Sequence, residues 1–200
     1  MKEKNTGNPL TSTRALTSMG MLSAVSFILM FLDFSVPLMP AFIKMDVSDL
    51  PALIGSFALG PVAGVIISLV KNLLHLFRTS TGGVGELSNF ILSASFVLTA
   101  GLVYKFKKNR IGALIGSVLG AAIMAVISIF SNYYLVYPLY EKFMPIDQII
   151  GAYQAINPNV DGLMECLIKF NMPFTFVKAM ICTLISFLIY KKLSPIIKGK

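Results

Sequence analysis

Hydrogen-bonding side chains recur at helical intervals in three apolar stretches of the sequence. They are Glu86 with Asn89, Asn132, and the set Asn171, Thr175, Lys178 and Cys182. The last four follow the spacing i, i+4, i+7 and i+11, which places them on one face of a helix. Amide, carboxylate, hydroxyl and ammonium groups can together donate to and accept from a small polar ligand. We therefore expect these side chains to converge on a binding cavity.

Two ionisable residues have a structural alternative to ligand binding. Lys178 lies well inside its apolar stretch, where a charge costs about 2.5–3.5 kcal/mol and faces a cavity or a partner. A ligand contact is predicted for Lys178, and the alternatives are a structural pair with Glu86 or extension of the side chain to the membrane interface. For His75, an interhelical hydrogen bond is favoured over a functional role.

No catalytic set accompanies these groups in the sequence. It has no HExxH, GxSxG or Walker A motif, and the glycine-rich run 79–86 lacks the Gly-Lys-Ser/Thr end of a phosphate loop. That run is predicted to be a tight turn that enters a helix. Cys166 and Cys182 are about 24 Å apart along a continuous helix, too far for a disulfide, and no Cys/His cluster suggests a metal. The sequence therefore predicts ligand capture or transport, without an enzymatic activity, a metal or a cofactor.

Composition places these groups in a membrane protein. Of the 200 residues, 56% are hydrophobic and 13% are charged, whereas soluble domains carry about 25% charged residues. This excludes a soluble enzyme, a disordered chain and a secreted disulfide scaffold. The apolar segments are 15–36, 49–59, 61–77, 86–104, 111–136 and 171–190. Gly60-Pro61 favours six crossings; the alternative is five, with the second and third segments fused or one of them re-entrant.

Basic residues are concentrated on one side of this arrangement. The N-terminal tail, the 105–110 link and the C-terminal tail hold most of the 17 lysines and arginines, and of the 9 acidic residues only Glu3 lies there. The positive-inside rule makes this side cytoplasmic. The predicted fold class is therefore an all-α polytopic membrane protein with six transmembrane helices and both termini cytoplasmic. Residues 1–200 form a single membrane domain, with tails at 1–14 and 191–200 and a six-helix bundle at 15–190, and the charge is not interpreted as nucleic-acid binding.

Rows of small residues and two outer loops complete the pattern. The rows Gly112-Gly116-Gly120 and Gly60-Gly64-Ser68 are predicted to pack inside the chain. For the row Thr13, Thr17, Gly20 and Ala24, internal packing and an external partner both remain open. The outer loops are 37–48 and 137–170. The longer loop is predicted to contain a short helix over 146–156, and its role as a lid or as a connector remains open.

Four stretches of the sequence resemble one protein family. They are 44–55 (Lys-Met-Asp-Val-Ser-Asp-Leu-Pro-Ala-Leu-Ile-Gly), 58–64, 71–77 and 81–90 (Thr-Gly-Gly-Val-Gly-Glu-Leu-Ser-Asn-Phe). The chain resembles the substrate-binding (S) components of energy-coupling factor (ECF) vitamin transporters, most of all the riboflavin-specific ones, from about residue 15 to residue 190. The resemblance implies a riboflavin-binding subunit of an ATP-driven importer in the plasma membrane of a prokaryote. The alternative is a stand-alone secondary carrier for riboflavin or another small vitamin.

The resemblance also assigns residues to the polar edge of the flavin. In the family this edge meets an Asn on the fifth segment and an Asn-x-x-Lys pair on the sixth. Asn132 and Lys178 match the first Asn and the Lys, whereas Thr175 stands where the family has the second Asn. A hydroxyl offers one donor where an amide offers two donors and a separate acceptor, so this contact differs from the family pattern. Flat apolar contact is expected from Phe42, Tyr133 and Tyr134.

The remaining assignments concern the loop, the ribityl chain and the partners. Glu86 matches the family Glu near the ribityl hydroxyls, and the loop around Met45 and Asp46 is expected to close over the ring system. Gly20-x-x-x-Ala24 resembles the small-x-x-x-small element on which partners dock. The implied partners are one transmembrane coupling protein and two cytoplasmic ATPases, with riboflavin as the transported ligand and the lipid bilayer as surroundings.

Overall fold

The computed structural model describes residues 11–79, 81–142 and 144–198, with side chains as far as residue 190. The helices are α1 (Thr13–Met30), α2 (Asp49–Leu59), α3 (Pro61–His75), α4 (Val84–Phe106), α5 (Arg110–Ser131), α6 (Tyr137–Tyr140), α7 (Ile146–Gln154), α8 (Leu163–Cys166) and α9 (Met172–Lys198). A 3₁₀ turn, Leu76–Arg78, extends α3, and π-helical turns Asn132–Val136 and Leu167–Asn171 join α5 to α6 and α8 to α9. Two-residue strands β1 (Phe34–Ser35) and β2 (Lys44–Met45) pair antiparallel. The predicted all-α class is confirmed. Of the predicted tails, residues 1–10 and 199–200 lie outside the described residues, and 191–198 continue α9.

Among the described residues, five helical stretches are long and apolar enough to cross a membrane. They are Thr13–Met30, Pro61–Arg78, Val84–Phe106, Arg110–Tyr140 and Leu163–Tyr190. Helix α2 has 11 residues and is about 16 Å long, against a hydrocarbon thickness of about 30 Å. It is separate from α3, because Gly60 turns the chain with a φ of 114° and Pro61 begins the next helix. The predicted Gly-Pro break is confirmed, whereas six full crossings and the cytoplasmic termini stay predictions.

The two ends of the bundle are named here after the predicted orientation. The outer end carries the last residue of α1, Met30, and the first residues of α2 and α4, Asp49 and Val84. The inner end carries Phe106 and Arg110, where α4 ends and α5 begins.

The predicted outer limits of the first and last segments are wrong. Helix α1 ends at Met30 instead of continuing to residue 36, because the chain turns there and β1 pairs with β2. Asp33, in this turn, forms an ion pair of 2.9 Å with Lys44. The last helical stretch begins at Leu163, eight residues before the predicted start at 171, and passes through the π turn into α9.

The glycine row of α5 packs against α4, as predicted. A Cβ atom on Gly116 would lie 2.7 Å from the carbonyl oxygen of Ala100, and one on Gly120 would lie 2.7 Å from that of Phe96. In the same way, a Cβ on Gly64 of α3 would lie 2.9 Å from the carbonyl oxygen of Ala52 in α2. Inside a membrane, such close backbone approach allows the van der Waals contact that holds helices together.

The small-residue row of α1 has a different environment. Thr13, Thr17, Gly20 and Ala24 are all exposed, and a Cβ on Gly20 would meet no described atom within 4 Å. The described part of the chain therefore leaves this row uncovered, so packing against the described residues does not account for it, and docking of an external partner there stays a prediction.

The contrast between these two rows gives a stability prediction. Gly120→Leu is expected to destabilise the protein by about 1–3 kcal/mol or more, because its side chain must displace the α4 backbone at Phe96. Gly20→Leu is the matched control, since it adds the same side chain to a helix interior where the space is open. Thermal unfolding of both variants in detergent measures the difference. Equal melting temperatures for the two variants would contradict the close α4–α5 packing.

Candidate ligand-binding site

A cavity of about 580 Å³ opens at the outer end of the bundle. Its volume lies within the range of about 300–1,000 Å³ that is usual for small-molecule sites. Polar residues on its wall include Asp46, Glu86, Asn89, Asn132, Asn171, Thr175 and Lys178. Apolar and aromatic residues on its wall include Met30, Phe42, Leu92, Met124, Tyr137, Tyr140 and Phe174. The cavity thus brings together five of the six residues predicted to bind a substrate.

The sixth residue, Met45, does not line the cavity. Met45 is opposite Phe34 in the β1–β2 pair and is 5% exposed. Side chains alternate between the two faces of a strand, so its neighbours Lys44 and Asp46 reach the cavity wall while Met45 points away. The loop therefore lies at the cavity through Lys44 and Asp46, and the role given to Met45 is corrected because its side chain is on the other face of the strand.

The aromatic prediction needs a similar correction. Phe42 lines the cavity, but Tyr133 and Tyr134 are 36% and 69% exposed and are not on its wall. Tyr137 and Tyr140 lie there instead. The π turn Asn132–Val136 changes the helical phase after Asn132, and sequence periodicity alone carried no sign of this change.

Two buried asparagines reach the cavity from π turns. Asn132 begins the turn between α5 and α6, and Asn171 ends the turn between α8 and α9. The exposed fractions of the two residues are 8% and 6%. π turns inside α-helices are often found at functional sites, because the extra residue re-aims a side chain. Ser88 on α4 also donates a hydrogen bond of 3.4 Å to Asn132 Oδ1.

Asn171 is held by two tyrosines, one of which comes from the long outer loop. The Tyr153 hydroxyl on α7 donates to Asn171 Oδ1 at 2.6 Å and lies 2.7 Å from the Tyr137 hydroxyl. Asn171 Nδ2 donates to the Tyr137 hydroxyl at 3.4 Å. Burial and the adjacent Tyr137 raise the pKa of Tyr153 far above its usual range, so the hydroxyl remains a donor. The predicted short helix is confirmed, and it supports one wall of the cavity.

Lys178 pairs with the first outer loop. Its Nζ donates to Asp46 Oδ2 at 2.7 Å, and the two side chains are 10% and 8% exposed. Burial tends to raise the pKa of Asp46, but the charges of Lys178 and Lys71 and hydrogen bonds from Lys178 and Ser48 outweigh it and hold the pKa well below its usual range. The Asp46 carboxyl is therefore ionised at neutral pH. The predicted alternative of a pair with Glu86 is wrong, because α3 supplies Glu86 with its own partner.

A second buried ion pair lies directly behind the first. Lys71 on α3 is fully buried and contacts Asp49 Oδ1, and it also donates to Ser48 Oγ at 2.7 Å. Ser26 on α1 donates to the carbonyl oxygen of Ser48 at 2.6 Å. A lysine from α9 and a lysine from α3 thus hold the Asp-x-Ser-Asp stretch of the first outer loop in place. The sequence showed the ionisable residues but could not show how they pair.

Glu86 is held by the glycine-rich turn that precedes it. One carboxylate oxygen is 2.7 Å from His75 Nδ1, and the other accepts from Thr79 and Thr81 at 2.9 and 3.1 Å. The turn itself needs glycine, since Gly82 and Gly83 have φ values of 61° and 89°. The predicted interhelical hydrogen bond of His75 is confirmed. Glu86 is 5% exposed, so its carboxylate is fixed on the cavity wall.

The described residues contain no group of His, Cys, Asp and Glu side chains that could hold a metal ion. Cys182, the last member of the predicted polar face, is buried as a free thiol away from the cavity wall.

The fold and the cavity define a class: helical membrane proteins that hold a small molecule at one end of the bundle. Comparison with known proteins makes the class specific. The model of the family "ECF transporter, substrate-specific component" matches residues 14–190, so the chain belongs to that family. The predicted family is therefore confirmed.

Curated relatives and a solved structure agree with this assignment. The chain is 31% identical to riboflavin transporter RibU of Staphylococcus aureus, over 94% of this chain and 95% of the relative. It is 30% identical to riboflavin transporter FmnP of Bacillus subtilis, over 91% and 93% of the two chains. A solved S component of a bacterial ECF transporter is 32% identical, with a TM-score of 0.72 and coverage of 92% of this chain and 96% of that chain.

These findings fix the broad character of the protein. The relatives are transporter components and not enzymes. Bacterial relatives and five apolar helices of spanning length identify a multi-pass protein of the plasma membrane.

Proposed function

We propose that the chain is the riboflavin-binding subunit of an ATP-driven ECF importer, which captures the vitamin at the outer face. One observation supports this most: relatives that match more than nine tenths of the chain at 30–31% identity are riboflavin transporters. The cavity at the outer end has the mixture of aromatic and hydrogen-bonding residues that such a ligand needs.

The chemistry of the cavity suits a flavin. Its ring system is a flat apolar body with carbonyls and an N–H on one edge. Lys178 uses one of its three ammonium protons on Asp46, so it can donate another to a ring carbonyl. Asn132 can both donate and accept at the same edge, and Thr175 adds a hydroxyl. The aromatic residues on the wall supply flat contact.

The opposite end of the ligand would meet Glu86. Its carboxylate is fixed by His75 and two threonines and keeps lone pairs that can accept from ribityl hydroxyls. A phosphate on that chain would add about −1.5 to −2 charge beside this carboxylate. We therefore expect riboflavin to bind more tightly than its phosphate, FMN.

Transport requires energy from other subunits. The sequence contains no Walker A motif, so we infer that a transmembrane coupling protein and two cytoplasmic ATPases supply it. The exposed row with Gly20 and Ala24 on α1 is the proposed docking site. Riboflavin is the cargo of this protein, and no cofactor is proposed.

The spectrum of the purified protein tests the ligand. We expect a yellow preparation that releases flavin on denaturation, and quenching of flavin fluorescence when riboflavin is titrated into the ligand-free protein. FMN should need a higher concentration for half-maximal quenching. A folded, colourless protein that does not quench riboflavin would overturn the assignment, whereas equal quenching by both ligands would overturn only the orientation with the ribityl chain at Glu86.

A further inference from the structure

A second cavity, of about 490 Å³, lies at the inner end of the bundle, away from the proposed flavin site. We name it the inner groove. Its wall includes Phe57 of α2, Tyr104 of α4, Ala113 of α5 and Leu184 and Leu188 of α9. The two leucines are 64% and 71% exposed, so the groove is open to its surroundings beside α9.

Positive charge borders the end of this apolar groove. Lys108 and Arg110, in and after the link between α4 and α5, line it and are exposed. Lys105 and Lys107 lie beside them in sequence but are not on the wall. The link has no acidic residue, and none of the ion pairs among the described residues involves these four cations.

The groove therefore combines cationic and apolar residues, as an anionic phospholipid combines a charged headgroup and apolar acyl chains. Tyr104 and Tyr190, each with an apolar ring and a polar hydroxyl, also lie on the wall, where both rings pack against Phe57. Basic pockets between transmembrane helices on the cytoplasmic side bind anionic headgroups, and each basic residue near the surface contributes about 1 kcal/mol, or about fivefold in affinity. An apolar helix of a protein partner would leave Lys108 and Arg110, which line the groove, without an anionic partner.

We propose that the inner groove is a binding site for an anionic phospholipid. The phosphate pairs with Lys108 and Arg110, and an acyl chain lies along Phe57, Leu184 and Leu188. The site is at the opposite end of the bundle from the outer cavity, so it does not depend on the identity of the transported ligand.

The absence of tryptophan allows a site-specific measurement. The sequence contains 0 Trp, so a single Leu188→Trp substitution makes the groove the only source of indole fluorescence. Leu188 is 71% exposed, which lets the indole stand at the edge of the groove without filling it. The full chain is reconstituted in vesicles of phosphatidylcholine, and dibrominated phosphatidylglycerol or dibrominated phosphatidylcholine is added as quencher. We expect the phosphatidylglycerol to quench with about fivefold or higher apparent affinity.

Matched variants separate a site from general attraction to anionic lipid. Lys108→Gln/Arg110→Gln should abolish the preference, whereas Lys105→Gln/Lys107→Gln removes the same charge outside the groove and should keep it. A tryptophan at Ile123, on the lipid-facing side of α5 and 41% exposed, should show no preference. The proposal is overturned if both brominated lipids quench alike at position 188, or if the two double variants lose the preference equally. Thermal unfolding without added lipid checks that each variant is folded.

Discussion

Lys178→Met is expected to weaken riboflavin binding by about 1.5–3 kcal/mol, or about 10- to 150-fold in Kd, because it removes a charged hydrogen-bond donor from the cavity. The same change leaves the Asp46 carboxylate buried without its nearest cation. Breaking a buried pair by removing one partner costs about 3–5 kcal/mol of stability. The variant should therefore lose both affinity and thermal stability. A measurement of affinity alone does not distinguish a lost ligand contact from a destabilised outer loop as the cause of weaker binding.

A second substitution separates the two effects. Lys178→Met/Asp46→Asn removes both charges, so it should recover much of the thermal stability while the Kd stays near that of Lys178→Met. Unfolding temperature and fluorescence-quenching titration on the same preparations give both quantities. If the double variant regains wild-type affinity, Lys178 acts by holding the first outer loop and makes no contact with the ligand. That result would leave the riboflavin assignment intact and remove only the role of this residue.

Features that follow from local spacing could be predicted from the sequence. The Gly-Pro break, the glycine row of α5 and the polar face that carries Thr175 and Lys178 are set by residues within one or two helical turns of each other. Their spacing is preserved in the structure, because a helix in a membrane keeps its period and must bury its polar groups. The class of site, a polar cavity for a small ligand, could be predicted because the polar side chains recur at helical spacing.

Features that depend on distant partners could not be predicted. Asp46 and Lys178 are 132 residues apart, and nothing local indicates that they pair. Tyr153 comes from a loop whose packing is decided by Asn171 and Tyr137 on other elements. The two π turns and the β1–β2 pair re-aim Asn132, Met45 and their neighbours by a single residue each, which a periodic pattern does not record.

The exposed row on α1 leads to the prediction that separates an importer subunit from a free-standing carrier. Gly20 and Ala24 lie one turn apart near the middle of α1 and are both exposed. Small side chains allow a partner helix to approach the backbone closely, and in lipid this packing replaces hydrophobic burial as the basis of association. Because a Cβ on Gly20 meets no described atom within 4 Å, larger side chains there should leave the isolated chain folded.

Gly20→Leu/Ala24→Leu should therefore abolish ATP-dependent riboflavin uptake and co-purification with the ATPase module, while the Kd for riboflavin in detergent stays at the wild-type value. The proposed flavin cavity is lined by Met30, at the outer end of α1 and six residues beyond Ala24, and neither Gly20 nor Ala24 is on its wall, so bulk at these positions acts on a partner and not on the ligand. Met21→Leu and Val25→Leu are matched controls, because both positions are exposed on α1 outside the small-residue row and should keep uptake. Uptake is measured in vesicles that contain the module, with and without ATP.

Wild-type uptake by the double variant would show that docking lies elsewhere on the chain. Concentrative uptake by the wild-type chain alone, without any ATPase, would instead identify a secondary carrier and overturn the proposed coupling to ATP hydrolysis.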